Sequence, residues 1–380
     1  MKTKYSAVSI VLFLAVFSML ASCRTEKTEW QGTTEEVDGV TVIKNPEKPM
    51  YSEDIFNLKE DLSIGESEGK EEYLFSRIDG IDVDNNENIY VLNDKTPYIR
   101  VFSRSGEFTK TIGRKGQGPG EFQSPRFIQI TPQEEVMVFD PATRRLTFFS
   151  PDGKYLGHIS TAKINYPFAP IKMDPGGNLI AKLVIWPSEG GGVELKKFDS
   201  DLKLLTMIYK TRIDEPDKEM EIRAMRPSLY FAISKEGNVI WGNSRSYELE
   251  VLNLEGKLIK KIMKDYKPIK ITEKDKEIFK LRARRIINRG YELLFPKYFP
   301  AFQNISIDCE GRIFVGPYER IESGEDDFYY YDVFDSEGKY IAKIPIKSSP
   351  RLWKKGKLYS IEEDEEGYQI VKRYKVNWNI

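Results

Sequence analysis

Four arginines are placed where they could bind an anionic ligand. Each lies close to the beginning of a predicted strand, and guanidinium groups bind carboxylate or sulfate through paired hydrogen bonds. The four are Arg77, Arg126, Arg226 and Arg351. In a competing interpretation they pair with neighbouring aspartates such as Asp79 and Asp140, or extend into solvent. The pattern indicates an anion site and leaves both interpretations open.

Aromatic and oxygen-bearing residues provide two further candidate sites. Aromatic rings beside polar groups suit a glycan or a peptide, although such rings belong to a core more often than to a site. The aromatic candidates are Trp186, Trp241, Tyr298 and Tyr318. Asp94, Asp140 and Asn243 each end a predicted second strand and could converge on a hard cation such as calcium. The same residue types are ordinary turn formers, so no metal and no other cofactor is expected.

Several catalytic chemistries are disfavoured. His158 is the single histidine, which argues against sites that use several histidines for a metal or for proton transfer. The glycine-rich stretch 112–122 is followed by another predicted strand. A phosphate-binding loop needs a helix N-terminus at that point.

One repeated stretch organises the chain that must position these residues. Residues 81–112 recur without a gap as residues 128–159, with Ile89-Tyr-Val-Leu matching Val136-Met-Val-Phe and Gly106 matching Gly153. Each copy is typical of four short strands separated by turns. Four strands recurring at this period indicate one blade of a β-propeller.

The number of blades follows from the remaining copies. Further first hairpins occur at residues 171–180, 231–240 and 305–314, and residues 356–376 supply the middle strands of one more blade. That blade lacks an outer strand, while the N-terminal segment has strands not yet assigned, among them Leu62–Ile64, which matches an outer strand of some blade. We therefore predict an all-β, six-bladed β-propeller of four-stranded blades over residues 39–380, its ring closed by an N-terminal strand.

The N-terminus predicts export and lipidation. Lys2, Lys4 and the apolar run from Val8 to Leu20 form a signal peptide over residues 1–22. Leu20-Ala-Ser-Cys23 resembles the lipobox of bacterial lipoproteins, in which the cysteine carries acyl chains such as palmitate. Residues 23–38 are predicted to be a flexible tether. Arg24 stands where some lipoproteins carry an inner-membrane retention signal, so we expect an outer-membrane anchor in the cell envelope.

A second resemblance lies between the first two blades. Ile112-Gly-Arg-Lys-Gly-Gln-Gly-Pro-Gly-Glu-Phe122, followed by Pro125, resembles the NHL-repeat motif. With the lipobox and the repeats, the chain resembles six-bladed β-propeller lipoproteins with NHL-like repeats. The resemblance implies a propeller fold, an envelope location and a binding role.

Insertions mark one face of the predicted propeller. Extra sequence falls at residues 186–193, 264–302 and 316–327, in two kinds of connection that emerge on the same face. The largest contains a predicted helix at residues 272–289 between blades 4 and 5, followed by aromatic residues that would form either a lid or a packed loop. Loops that vary on a rigid scaffold often carry function, so we name this side the elaborated face.

The composition and the insertions together favour recognition over catalysis. Lys and Arg number 58 against 59 Asp and Glu, which gives no electrostatic reason to expect nucleic acid as a partner. We expect a lipid-anchored propeller that binds a glycan, a peptide or an envelope protein on the elaborated face. One alternative is a metal-dependent lactonase or hydrolase of the gluconolactonase type. Another is a structural scaffold in an envelope complex.

Overall fold

The computed structural model describes most of the chain after its N-terminal segment. The described residues are 29–51, 55–66, 68–75, 77–93, 97–164, 168–185, 191–212, 220–323, 326–347, 350–364 and 366–379. The predicted signal peptide, Cys23, Asp94 and Trp186 lie outside these ranges. Within them, no helix is both long enough and apolar enough to cross a membrane.

The first half of the chain contains three complete blades. The N-terminal segment forms β1 (Thr33–Val37), β2 (Val40–Asn45) and β3 (Phe56–Ile64). Blade 1 consists of β4 (Ile78–Val83), β5 (Ile89–Asn93), β6 (Tyr98–Phe102) and β7 (Phe108–Ile112). A short parallel pair follows, β8 (Arg114–Lys115) with β9 (Glu121–Phe122). Blade 2 consists of β10 (Phe127–Ile130), β11 (Val136–Asp140), β12 (Arg145–Phe149) and β13 (Tyr155–Ser160). Blade 3 consists of β14 (Phe168–Met173), β15 (Leu179–Ile185), β16 (Gly192–Phe198) and β17 (Leu204–Thr211).

The second half contains the other three blades and the helical insertion. After β18 (Glu221–Arg223), blade 4 consists of β19 (Leu229–Ile233), β20 (Val239–Asn243), β21 (Glu248–Leu252) and β22 (Leu258–Lys264). The insertion forms α1 (Glu273–Arg282), α2 (Arg284–Ile287) and β23 (Glu292–Leu294). Blade 5 consists of β24 (Asn304–Ile307), β25 (Ile313–Gly316), β26 (Arg320–Ser323), β27 (Asp326–Phe334) and β28 (Tyr340–Ile346). Blade 6 consists of β29 (Pro350–Lys354), β30 (Lys357–Glu363), β31 (Gln369–Trp378) and the N-terminal β3.

The alternation of apolar residues explains how each blade packs. All five residues of β5 are buried, because both faces of this strand contact neighbouring blades. In the outer strand β7, partly buried and exposed positions alternate up to the buried Ile112, since one face meets solvent. Apolar clusters therefore lie between successive blades. Tyr90 and Leu92 of blade 1, for example, pack in one cluster with Ile128 and Val138 of blade 2.

The ring closes as predicted. The N-terminal β3 pairs antiparallel with the C-terminal β31, with Phe56 opposite Trp378 and Ile64 opposite Val371. The register shifts between Glu60 and Leu62. Both termini of the propeller therefore contribute to blade 6, which removes the open sheet edges that separate ends would leave.

The predicted tether is shorter than expected. Residues 33–37, assigned from composition to the tether, form β1, which pairs with β2. In turn β2 pairs in parallel with β22, so blade 4 extends to six strands. An outer strand offers unpaired backbone groups, and β2 satisfies those of β22. Composition missed β1 because all five of its residues are exposed and carry no apolar alternation.

The helical insertion lies where the sequence placed it. The Thr272 side chain and Asp275 form a reciprocal capping box at the start of α1, and the helix breaks at Ala283 rather than running to residue 289. An ion pair of 3.0 Å between Arg320 and Asp275 ties α1 to blade 5. Leu281 is 73% exposed, so the predicted apolar stripe is packed only in part.

The glycine-rich stretch between blades 1 and 2 is a packed inter-blade connection. Phe122 is fully buried, and a Cβ at Gly113 would lie 2.3 Å from the Phe122 ring. The Glu121 carboxylate accepts the backbone N–H of Gly118 at 2.9 Å and the Arg114 Nε–H at 2.8 Å. These contacts lower the pKa of Glu121, with the Gly118 hydrogen bond as the largest cause. A carboxylate therefore takes the donors that a bound phosphate would need.

Candidate functional site

A pocket of about 490 Å³ lies between blades 3 and 4 on the elaborated face. We call it the basic pocket, because its described lining contains five cationic side chains and no acidic one. The cations are Lys182, Arg212, Arg223, Arg226 and Arg245. An apolar wall lies beside them, formed by Val184, Val193, Ala224, Leu229, Leu294, Phe295 and Pro296. Residues 213–219, which carry four carboxylates in the sequence, lie outside the described ranges.

Two separate inter-blade connections build the roof of the basic pocket. β18, from the connection between blades 3 and 4, pairs in parallel with β23, from the insertion between blades 4 and 5. Arg223 lies opposite Leu294, and the Ala224 N–H donates to the Leu294 carbonyl at 2.8 Å. Phe295 then packs edge-on against Phe279 of α1, with ring centroids 5.8 Å apart. The insertion predicted to elaborate this face therefore shapes the pocket.

Lys182 is the most deeply placed cation of the pocket. Its Nζ donates to the Ser228 hydroxyl at 2.8 Å and to the Leu229 carbonyl at 3.0 Å. Burial lowers the pKa of Lys182 to about 8, and the positive charge of Arg226 adds to the effect. A bound anion would offset both effects, because it would supply a negative charge that the described lining of the pocket lacks.

The arginines at the rim are available to a ligand. Within the part of the chain that the structure describes, the guanidinium groups of Arg212, Arg223 and Arg226 form no ion pair and no hydrogen bond, and all three residues are exposed. Guanidinium groups bind carboxylate, sulfate or phosphate in a bidentate geometry. The arrangement therefore suits a ligand with at least one anionic group and an apolar part.

One family model, described as 6-bladed beta-propeller, matches residues 33–179. The chain is similar to six-bladed β-propellers. Among curated proteins, none matches the sequence significantly.

Solved structures share this fold at low sequence identity. A protein inferred to be exported, from Bacteroides fragilis, is 12% identical, with a TM-score of 0.54 and coverage of 89% of this chain and 100% of that chain. A DUF4221 family member from Bacteroides vulgatus is also 12% identical, with a TM-score of 0.54 and coverage of 86% and 99%. A gluconolactonase from Xanthomonas campestris reaches a TM-score of 0.42 at 11% identity, covering 80% and 87%, which is too distant to inform the chemistry.

The four candidate arginines do not form one ring. Arg77 and Arg126 both pair with Asp79, at 3.1 and 3.3 Å, as the competing interpretation proposed. Arg351 lines a different cavity, in the central channel. Only Arg226 lies in the basic pocket. The other cations of the pocket come from the middle of β15 (Lys182), from the connections beside blade 4 (Arg212 and Arg223) and from the turn between β20 and β21 (Arg245).

The aromatic candidates are also dispersed. Trp241 is buried between blades 3 and 4, with its ring centroid 4.6 Å from that of Tyr209, so it belongs to the core. Tyr318 stacks on Phe299 at 4.5 Å, and burial raises the pKa of its hydroxyl. Tyr298 is exposed, beside Lys297. None of these three rings lines the basic pocket, and Trp186 lies outside the described ranges.

Two of the predicted oxygen ligands, Asp140 and Asn243, lie in the described ranges, and both make hydrogen bonds within the fold. The Asp140 carboxylate is buried and accepts backbone N–H groups from Gln123 at 2.6 Å and Ala142 at 2.9 Å. Asn243 lines the basic pocket, where its Nδ2 donates to the Tyr209 hydroxyl at 3.1 Å. Asp94 lies outside the described ranges. Across those ranges, no three His, Cys, Asp or Glu side chains converge on a point that could hold a metal ion.

One stretch of the chain has the residue spacing of a nucleophile elbow but not its structural context. Gly65-Glu-Ser-Glu-Gly69 has the Gly-x-Ser-x-Gly spacing, but a short 3-10 turn at Glu71–Tyr73 and then β4 follow it. A nucleophile elbow needs a helix at that point. His158 lies in another blade, on the outer strand β13, where its Nδ1 meets the Tyr155 hydroxyl at 2.7 Å.

Sequence reasoning missed most of the basic pocket. Arg212, Arg223 and Arg245 lie in connections with no repeat to align, and Lys182 sits within a predicted strand where a core residue is expected. A signal existed in the cluster of cations at 212, 223, 226 and 245, all near the ends of blades 3 and 4. The cluster predicts a shared pocket only when the pairing of β18 with β23 across two connections is known.

Proposed function

We propose that this protein is a lipid-anchored envelope propeller that binds an acidic peptide in the basic pocket. The carrying observation is the set of three arginines, Arg212, Arg223 and Arg226, that have no partner among the described residues and lie around an apolar wall, with Lys182, whose pKa is lowered to about 8, at the base of the pocket. A peptide carboxylate would pair with the arginines, and a neighbouring apolar side chain would cover the wall of Val184, Leu229 and Phe295. A pocket of about 490 Å³ accommodates one or two side chains of this kind.

A peptide fits this lining better than a glycan does. Sugar rings favour broad, exposed aromatic faces, and Phe295 is the single aromatic residue among the described lining. The wall is otherwise aliphatic, which matches leucine-like or valine-like side chains. An acidic residue next to an apolar one is therefore the recognition element that we propose.

The proposal is tested with a matched pair of labelled peptides. One is a hexapeptide of alternating glutamate and leucine, and the other replaces each glutamate by glutamine. Fluorescence anisotropy with the mature chain carrying Cys23→Ser should show binding of the acidic peptide alone, weakening as salt rises. Arg226→Ala and Arg223→Ala should each weaken binding by about ten-fold, since each removes a charge-assisted hydrogen bond.

Arg289→Ala is the matched control, because Arg289 is an exposed arginine after α2 that does not line the pocket. It should leave the affinity unchanged. Equal binding of the glutamine peptide, or an equal loss on Arg289→Ala, would refute the pocket as an acidic-peptide site. Competition by a sulfated or uronic-acid glycan, with no peptide binding, would reassign the pocket to a glycan.

The anchor is proposed on the N-terminal sequence. Leu20-Ala-Ser-Cys23 supports acylation of Cys23 and attachment to the outer membrane, and a protein of the same fold is inferred to be exported. In cells given labelled palmitate, the native chain should take up label and fractionate with the outer membrane. Cys23→Ser should lose the label and leave the membrane fraction. Retention of the label by the variant would contradict this anchor.

A further inference from the structure

A second cavity, of about 480 Å³, runs along the central channel and shares no lining residue with the basic pocket. Every innermost strand of the six blades contributes to it. One residue from each blade in order is Ile81, Ile128, Lys172, Ala232, Ser306 and Leu352. One rim of the cavity is formed by the short hairpin turns around Asn85, Glu134, Pro175 and Cys309, on the side opposite the elaborated face. The cavity therefore opens away from the elaborated face.

Lys172 is held in this channel without an anionic partner. Its Nζ lies 5.7 Å from the centroid of the Phe231 ring, and within the described chain it forms no hydrogen bond and no ion pair. The backbone beside it is fixed, because the Met173 N–H donates to the Gln129 Oε1 at 2.8 Å and the Gln129 amide returns a bond to the Met173 carbonyl at 2.9 Å. The fold therefore fixes the backbone from which the Lys172 side chain extends.

The carboxylates of the channel already have partners. Asp82 accepts the Ile130 N–H at 2.6 Å and pairs with Lys354 at 2.9 Å. Glu134 accepts two donors from Asn85, at 2.9 and 2.6 Å, and Asp308 pairs with Arg312 at 3.0 Å.

Two cations of the channel remain. Lys172 and Arg351 have no partner among the described residues, and both line this cavity. Two further lysines line the cavity, Lys354, which pairs with Asp82, and Lys235, which lies 3.8 Å from the Glu236 carboxylate. Among the described residues, a ligand that enters the cavity would therefore meet one unpaired amine and one unpaired guanidinium group. The channel therefore combines a group that can form a covalent bond with a group that can hold a negative charge.

We propose that Lys172 condenses with the carbonyl group of a small anionic aldehyde or ketone in the central channel, while Arg351 binds the anionic group. The Nζ lone pair attacks the carbonyl carbon to form a C–N bond. The nitrogen gives up its two protons, the carbonyl oxygen takes up two, and the C–O bond breaks as that oxygen leaves as water, which gives an imine. Burial lowers the pKa of Lys172 against the opposing effect of Asp82, which increases the fraction of amine that is neutral and reactive.

Pyridoxal 5′-phosphate is a suitable probe, because it carries both an aldehyde and an anionic group. The mature chain with Cys23→Ser is incubated with the probe and cyanoborohydride, which reduces the imine to a stable secondary amine. Peptide mass spectrometry then gives a labelling rate for each lysine. Lys172 should be labelled at least about ten-fold faster than the exposed Lys235 at the same cavity, with a rate that saturates as probe concentration rises.

Control probes and variants distinguish a loss of imine formation from a loss of folding. Unphosphorylated pyridoxal should label Lys172 more slowly, and Arg351→Met should reduce the preference for the phosphorylated probe. Lys172→Arg retains the charge and should abolish the imine absorbance while binding the acidic peptide normally, since the basic pocket lies elsewhere. Labelling of Lys172 no faster than Lys235, or without saturation, would overturn the proposal. Equal rates with both probes would remove the anion requirement.

Discussion

At the scale of single residues, the positive charge of Lys182 lies in an unfavourable environment. Burial and the nearby Arg226 both oppose protonation, and the hydrogen bonds to Ser228 and Leu229 compensate only in part. A lysine retained under these conditions costs stability, because the unfolded chain binds its proton more tightly. Recognition of an anion gives a physical reason for keeping it.

The affinity for an acidic peptide should therefore depend on pH. Since the pKa of Lys182 is lowered to about 8, its positive charge is present below that value and is lost as pH rises through it. Binding should weaken by up to about ten-fold between pH 7 and pH 9, because one charge-assisted contact disappears. Anisotropy titrations across this range measure the effect. Lys182→Arg should make the affinity independent of pH, and a pH-dependent Lys182→Arg protein would exclude Lys182 as the cause.

A buried carboxylate joins blades 4 and 5. The two oxygens of Asp332 accept the hydroxyls of Tyr247 and Tyr340, each at 2.6 Å, and Lys264 lies 3.5 Å from the same carboxylate. Burial raises the pKa of both tyrosines, and the charge of Asp332 adds to the effect. Because every polar group of the network has a partner, loss of the central group should cost more than loss of one donor.

Tyr340→Phe should lower the free energy of unfolding by about 1.5–3 kcal/mol, as it removes one hydrogen bond to a charged group. Asp332→Ala should cost about 3–5 kcal/mol, because it leaves two buried hydroxyls without their acceptor and the buried Lys264 without its counter-charge. Urea unfolding followed by tryptophan fluorescence measures both values. Equal losses in the two variants would show that Asp332 is not the centre of the network.

At the scale of elements, the two strands of the N-terminal hairpin, β1 and β2, contribute unequally to stability. β1 is fully exposed, whereas β2 buries Ile43 and Asn45 against blade 4. The Asn45 side chain donates to the carbonyls of Met263 and Gly338 at 3.1 and 3.0 Å, and its Oδ1 accepts the Tyr340 N–H at 2.7 Å. One asparagine thus connects the N-terminal segment to two blades.

Two truncated chains distinguish the contribution of β1 to stability from that of β2. A chain beginning at residue 39 should lose about 1–2 kcal/mol of unfolding free energy, mainly because it removes Trp30, whose Nε1–H donates to the Asn45 Oδ1 at 3.0 Å. A chain beginning at residue 46 should lose at least about 4 kcal/mol, since it also removes the buried Ile43, the Asn45 hydrogen bonds and the partner of β22. Denaturant unfolding gives both values. Similar stability of the two chains would mean that β2 is an accessory strand.

The same elements show what a sequence can predict. The blades and their closure were accessible because Ile81–Ile112 and its later copies keep a fixed order of apolar strands and glycine turns. β1 was not accessible, since its TTEEV sequence has no apolar face. The basic pocket was not accessible either. Arg223 lies in β18, whose parallel pairing with β23 forms the roof of the pocket, and no repeat encodes that pairing.

For the whole molecule, closure rests on contacts between the two ends of the chain. A shift in register between Glu60 and Leu62 places the Asp61 carboxylate against Arg373, with 2.7 Å from Nε to Oδ1. Arg373 also donates to the Arg104 carbonyl of blade 1 at 2.7 Å. This buried arginine therefore connects β31 both to the closing strand β3 and to the next blade.

Asp61→Ala should destabilise the propeller by about 3–5 kcal/mol, because the buried Arg373 would lose its counter-charge. Glu60→Ala is the matched control. Glu60 pairs with Lys372 at 3.0 Å on the neighbouring position, but its side chain is 43% exposed, so its removal should cost at most about 1 kcal/mol. Guanidinium unfolding compares the two variants. Hydrogen exchange should show faster opening of β3 and β31 in Asp61→Ala, since weaker closure frees the ends first. Equal stabilities would show that the backbone pairing of β3 with β31 closes the ring without this ion pair.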